Sequence, residues 1–343
     1  MSLDPGRKRQ LHGLKLRALA RDVIGIDLTE VSGTADGAFG FAPGGADGSV
    51  VMVSLAELRS GRALGPALAA AARRQVTHAH VLSEDSAGEL ARRAALFTTE
   101  ITVWGIEGRT ARVADPLKSL IDPGLPTVGD EVLALLGGAG VDIVAEHGVL
   151  VAEVEGLEVA RVIADDQGER LEVGVGAHDR EAFSIMHGDL PTLDALNQVV
   201  DVVKTHRSPG ASPHPLNRLG SERWLRSRII DRPDLVGAVA LSSAPPPVPR
   251  DNLKEPVPAV AAGTGVDGRA LVVVVSTGID LDVIPFAADA RLMLAPEAEL
   301  VVAIARRDDH EVTRSIAASL RDVARMVVID DDWREWPASV AVG

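Results

Sequence analysis

Three acidic residues occupy positions where strand geometry would gather them. Val141-Asp142-Ile143-Val144 and Val151-Ala152-Glu153-Val154-Glu155 both alternate apolar and other residues with period two. In a strand every second side chain points to the same face. With Glu146-His147-Gly148 as the turn, two antiparallel neighbours would bring Asp142 beside Glu153 or Glu155, and Glu153 and Glu155 would share a face. Three carboxylates at one point would hold Mg2+ or Mn2+, hard ions that prefer oxygen ligands. Such an ion polarises a phosphate and activates water. The other reading of these residues is the solvated face of a meander.

A second group is basic. The segment THRSPGASPHPLNRLGSERWLRSR carries His206, Arg207, His214, Asn217, Arg218, Arg223, Trp224, Arg226 and Arg228. Arg207, His214, Asn217, Arg218, Arg223 and Arg226, on a loop beside a helix N-terminus, would bind an anion or a nucleic-acid backbone. An aromatic ring among arginines would stack a base. Alternatively, Trp224 and Leu225 pack inward while the arginines pair with the chain's own carboxylates.

Other residues carry weaker signals. His78 and His80 alternate on one strand face but have no third ligand nearby, which favours a structural role. His178-Asp179 precedes a helical stretch, where Asp179 reads as a cap. The glycine-rich segment after residue 31 contains no dinucleotide fingerprint, and the chain has no P-loop. A nucleophile elbow is also missing.

The order of elements around the first group resembles the PD-(D/E)xK nuclease superfamily. There a helix leads into a strand bearing Asp, and the next strand carries Glu-x-Lys. Here VGDEVLALLGG precedes GVDIVAEHGVLVAEVEG, so Asp142 matches the family Asp and Glu153 the family Glu. Glu155 stands where the family has its Lys. The resemblance implies a nuclease-like αβββαβ core without the cation that orients the attacking water. The implied protein is degenerate and non-catalytic, and binds nucleic acid or a phosphate-bearing ligand. From a different class comes a structural or interaction protein, a homo-oligomeric scaffold with no catalytic site. A small-molecule enzyme is the third class, and no motif speaks for it. Asp280, Asp282 and Asp289 echo the acidic pattern, but the strand after them has Ala303-Ile304-Ala305 where Glu-x-Lys would stand. Asp280 and Asp282 read as strand-end or turn residues.

These residues must be positioned by an α/β framework of several domains, with small mixed sheets flanked by helices. Residues 1–20 form a basic N-terminal arm, read as a frayed amphipathic helix or as an arm touching nucleic acid or acidic lipid. Residues 21–116 form an α/β domain with strands at Val23 to Val31, in GSVVMVSL and in THAHVLSE. A hairpin follows around Glu107-Gly108, and the segment SGTADGAFGFAPGGADG reads as a loop. Its helices are Ala67 to Gln75, opened by Pro66, and SAGELARRAALF, capped by Ser86. Residues 126–244 form the central domain, with helix TLDALNQVVDVVKTHR and helix SERWLRSRIID capped by Ser221. Residues 245–262 are a proline-rich linker, and residues 263–343 a C-terminal α/β domain read as β, β, α, β. The strand–helix–strand run of the first block recurs in the third, either as a duplication or as the common look of α/β units.

Composition narrows the classes. At 343 residues the chain exceeds one small core, and 46% of it is hydrophobic. Its mean hydropathy is +0.14, yet no apolar run reaches the roughly 20 residues of a membrane span. With no cysteine, thiolate chemistry and disulfides are excluded. A net charge of −14 argues against a general nucleic-acid coat. No signal peptide is read, and the expected location is cytoplasmic, without a membrane partner. The Arg, Ala, Gly and Val usage resembles that of GC-rich bacterial genomes.

Overall fold

The computed structural model describes residues 4–44, 48–57, 60–108, 110–118, 127–165, 168–176, 193–248 and 257–337. His178 and Asp179 lie outside the described residues. The chain is a mixed α/β protein, and its described residues form three small sheets. Contacts gather it into two units. One comprises Met1–Ser119, Ile279–Asp289 and His310–Ala324; the other comprises Leu120–Gly278, Ala290–Asp309 and Arg325–Gly343.

In the first unit, the basic N-terminus is a packed helix, α1 (Pro5–Leu19). Asp4 accepts the Gly6 and Arg7 amides, both at 3.1 Å, satisfying donors that no helical carbonyl can reach. His12, Leu16 and Leu19 are buried, and the helix packs on β1 (Glu30–Gly33) and β2 (Gly37–Pro43). Two expectations fail here. Val23 and Ile24 belong to a widened helical turn closed by Gly25 at φ 80°, so the first strand begins only at Glu30. The glycine-rich segment is not all loop, because β2 runs through it. Its buried small residues, Ala38 and Ala42, leave room for the neighbouring helix.

The unit continues through β3 (Val50–Ala56), α2 (Leu64–Arg74), β4 (His78–Ser83), α3 (Ala87–Ala94), β5 (Glu100–Glu107) and β6 (Thr110–Val113). The sheet order is β1-β2-β3-β4-β5-β6. Pairing is antiparallel from β1 to β3, parallel from β3 to β5, and antiparallel in the β5–β6 hairpin. Pro66 lies in the first turn of α2 as expected. Ser86 precedes α3, but at φ 59° its side chain makes no capping bond.

The second unit holds α4 (Asp130–Ala139) and an antiparallel meander of β7 (Asp142–Glu146), β8 (Val149–Val154), β9 (Leu157–Asp165) and β10 (Gly168–Val173). Helix α5 (Leu193–Arg207) lays buried Leu196, Val200 and Val203 on the meander. Next come α6 (Ser221–Asp231), β11 (Ala238–Ala244), β12 (Ala259–Gly265), β13 (Ala270–Ser276), α7 (Val283–Leu294), β14 (Glu299–Ala305), α8 (Glu311–Ala318) and β15 (Ala324–Ile329). The five strands form one sheet in chain order. Leu271 to Val275 are all buried, as suits a strand covered on both faces.

Three details depart from expectation. Strand β11 pairs with β12, so the proline-rich segment joins neighbours of one sheet. The N-cap of α6 is Gly220, and Ser221 is already helical. Helix α7 stands between β13 and β14, a helix that the β, β, α, β order expected for residues 263–343 does not include; Pro285 occupies its first turn.

The first and third sheets repeat one plan. Helix, three antiparallel strands, helix, strand, helix, strand describes α1 through β5 and again α6 through β15. In both, the third and fourth strands are parallel. The third strand is followed by a helix with proline in its first turn, Pro66 in one and Pro285 in the other.

Candidate functional site

The meander brings part of the predicted acidic group together. Asp142 lies directly across from Glu153 in the β7–β8 pair, and Glu146 pairs with Val149 around the His147-Gly148 turn. Glu155, however, does not share the face of Glu153. It belongs to the two-residue turn after β8, at φ 50°, followed by Gly156 at φ 71°. Such tight hairpins require positive φ at both central positions. The third acid on the row is instead Glu158, across from Glu153 on β9.

Each inner acid is matched to a guanidinium. Both oxygens of Glu153 are engaged: Oε1 accepts from Arg223, and Oε2 accepts from Arg226 Nη2 at 2.6 Å. Arg223 also donates to Glu146. Arg161 Nε donates to Glu158 at 2.7 Å. Arg228 stands 3.0 Å from Glu155. Burial opposes the charge of Arg223, but Glu153 and Glu146 outweigh it and raise its pKa. Burial raises the Glu155 carboxyl, partly opposed by Arg228.

Most arginines of the basic segment are therefore internal. Arg207, Arg226 and Arg228 are each 1% exposed. Arg207 donates to the carbonyls of Glu155, Leu216 and Leu219 and lies 4.7 Å over the Trp224 ring. Burial pushes it down to about 9, so it stays protonated at neutral pH. Trp224 and Leu225 pack into the core of the five-stranded sheet. His214 caps the following turn by accepting the Leu216 amide at 3.3 Å, and its ring stacks on His206. Arg218 is exposed and Asn217 half-buried. Thus α6 turns one side to the sheet core and presents arginines to the meander's acids.

His78 and His80 also stack on each other, with His78 beside Thr102 and His80 accepting from Trp104. Burial, with His78 alongside, pushes His80 down to about 4, so it is neutral at physiological pH. Among the described residues, no group of three or more His, Asp or Glu side chains is arranged to hold a metal ion.

A different site emerges in the first unit. A crevice of 430 Å³ opens at the carboxyl end of β3, between Ser54–Ala56 and the start of α2. Open α/β sheets take ligands at the carboxyl ends of their strands. Thr34, Asp36, Arg62, Asp280 and Asp282 supply its polar groups, and Phe39 and Ile279 its apolar ones. Arg62 Nη2 lies 2.6 Å from Asp280 Oδ2. Asp282 is buried; its Oδ1 accepts the Gly65 amide at 2.8 Å, and its Oδ2 is 3.8 Å from Arg93. Burial pushes Asp282 up to about 7, against the pull of Arg93 and the Gly65 amide. A buried carboxyl whose pKa lies near neutrality can take up or release a proton.

Behind the crevice, Asp289 accepts from Arg92 Nε at 2.7 Å, Arg92 Nη2 at 2.9 Å and Arg93 Nε at 2.8 Å. Asp280 and Asp282 are thus more than turn residues, since both line the crevice, and Asp289 anchors the arginines beside it. Their partners lie about two hundred positions away in the chain, which no local pattern could reveal. No family model, curated protein or solved structure matches this chain.

Proposed function

We propose that this chain is a ligand-binding α/β protein whose site is the crevice at the carboxyl end of β3, and that it takes a small polar organic molecule. The observation that carries this reading is the convergence of Asp36, Arg62, Asp280 and Asp282 on one 430 Å³ depression. That volume falls in the range of small-molecule pockets, where a few placed polar groups set orientation. The test is an NMR screen of the full chain with small polar compounds. The amides of Thr34, Gly37 and Ser54 report on the crevice. Compounds that bind should shift them together, and Asp282→Asn should weaken the effect. Shifts confined to the meander would overturn the reading.

A nuclease-like reading draws support from one observation: α4 leads into β7 and β8, and Asp142 faces Glu153. On that reading the core is a scaffold, since the arginines that would meet a phosphate are enclosed with the acids. Labelled single-stranded DNA tests it. Saturable binding that weakens in Arg218→Ala would favour it over the crevice as the seat of function.

A further inference from the structure

We propose that the crevice is a site for a small organic cation, a molecule bearing a guanidinium or ammonium group, and that Arg62 is the built-in stand-in for it. This inference rests on the crevice reading above and names its ligand class.

Charge sets the class. Asp36, Asp280 and Asp282 line the crevice, and Arg62 is the single basic residue among its described lining. An anion entering would meet three carboxyl groups and one guanidinium already engaged. A cation would meet a net acidic surface in a depression of reduced dielectric, where opposite charges attract more strongly than in open water.

Geometry shows where it would sit. Asp280 already receives a guanidinium, at 2.6 Å, so its carboxylate is aimed into the crevice at the right distance for one. That guanidinium comes from the short turn Ser60–Arg62, not from a packed helix or strand. The Arg62 side chain keeps 27% of its surface exposed, while Asp280 keeps 14%. The acid is therefore the more enclosed and fixed partner, and the arginine reaches it from the rim. A soluble guanidinium or ammonium would make the same contact once Arg62 swings out. Asp36, exposed at the mouth, adds a second acid along the approach. Ile279 is 66% exposed at the same mouth and Phe39 lines the wall, giving a short alkyl tail apolar surface to cover.

Competition follows from this arrangement. In the native chain a ligand must displace Arg62, so affinity is reduced by the strength of the internal pair. Removing the arginine leaves Asp280 without its guanidinium in a largely enclosed position, and an added cation recovers that contact.

The experiment is calorimetry on the full chain with butylguanidine, butylamine, butanol and butyrate, using the native protein, Arg62→Ala, Arg62→Lys and the Arg62→Ala, Asp280→Asn pair. Amide shifts at Thr34, Gly37 and Ser54 place the binding. Butylguanidine should bind Arg62→Ala about tenfold more tightly than the native chain, a shift of about 1.4 kcal/mol. Arg62→Lys keeps a tethered cation and should return to native affinity, which also covers the case where the alanine variant fails to fold. The double variant should lose the gain, and butyrate should give no saturable heat. Equal affinity in the native and Arg62→Ala proteins, or tighter binding of butyrate, would overturn the proposal. If butanol or butyrate shifts the crevice amides and the cations do not, the crevice remains a ligand site and only the charge assignment falls. If no compound in this set or the wider screen shifts them, both readings fall.

Discussion

Glu153 sits directly across from Glu158 in the β8–β9 ladder, and both carboxylates are buried. Like charges placed opposite each other destabilise a sheet. The row persists because guanidinium groups close on it from both sides: Arg223 and Arg226 from α6, and Arg161 from β9 itself. Glu153, one of the acids that suggested a metal centre, thus ties α6 to the meander.

Glu153→Ala tests that anchor. It leaves Arg223 and Arg226 buried beside a missing counter-charge, a change that costs about 3–5 kcal/mol in comparable networks. Urea unfolding should show the midpoint falling accordingly. Adding Arg226→Met should return part of the loss, because the second variant no longer strands that charge. A single-variant loss under about 1 kcal/mol would place the pair among weak surface bridges instead.

Much of this framework was legible from residue pattern. Period-two alternation located β7, β8 and β9, and the His147-Gly148 turn set Asp142 opposite Glu153 as expected. The hairpin at Glu107-Gly108 followed from its turn residues. The misreadings have specific causes. Strand β2 hides in a glycine-rich stretch because small residues there make room for α1, and composition alone reads them as loop. Glu155 looked like a strand residue because Glu-Gly at a tight turn keeps the period of the strand before it. Glu158 escaped because the pairing read from sequence joins β7 to β8, whereas the tight Glu155-Gly156 turn folds β9 back and sets Glu158 opposite Glu153. The crevice was illegible because Asp280 and Asp282 meet Arg62 and Gly65 only through tertiary structure.

Asp289→Asn tests the second buried network. Asp289 is fully buried and accepts three hydrogen bonds from Arg92 and Arg93. An amide there keeps the shape but turns one acceptor into a donor facing guanidinium donors, and removes the counter-charge. The expected loss is about 3–5 kcal/mol in chemical denaturation, with a matching fall in melting temperature. Because Arg93 also donates to the Gly61 carbonyl at 2.8 Å, proteolysis near residue 61 should quicken in the variant. Unchanged cleavage would show that the turn does not depend on this network.

Asp282 predicts a pH dependence with a definite sign. Its carboxyl is raised in the folded protein from 3.8 to about 7. The stability it contributes is complete below about pH 4, where both states are protonated. It is lost as pH rises through the folded value, since the unfolded chain ionises first. Relative to Asp282→Asn, the native protein should lose about 1.4 kcal/mol per pH unit between pH 5 and 7, then level off. Unfolding midpoints of both proteins across pH 5–8 give the difference. A flat difference, or one that grows more favourable to the native protein with pH, would mean that Asp282 is ionised throughout.

Gly156 brings the turn after β8 against the backbone of α6, and it offers the sharpest backbone test. It combines φ 71° with a Cβ position only 2.3 Å from the Arg223 carbonyl and 2.6 Å from the Trp224 amide nitrogen. Those neighbours are backbone atoms at the start of α6, so they cannot yield by changing rotamer. Gly140 has a similar φ of 61° but open space around its Cβ position. Substituting alanine at Gly140 should therefore cost only the left-handed penalty, roughly 1–2 kcal/mol. Alanine at Gly156 adds the displacement of α6 to that penalty. The displacement would pull Arg223 from Glu153 and loosen the packing of Trp224 on Trp333, whose rings now meet edge-on at 5.3 Å. The expected result is a loss at least twice that of Gly140→Ala in urea unfolding, with a change in tryptophan fluorescence that Gly140→Ala does not show. Equal losses and identical spectra would mean that the hairpin turn and α6 are not held in contact in solution.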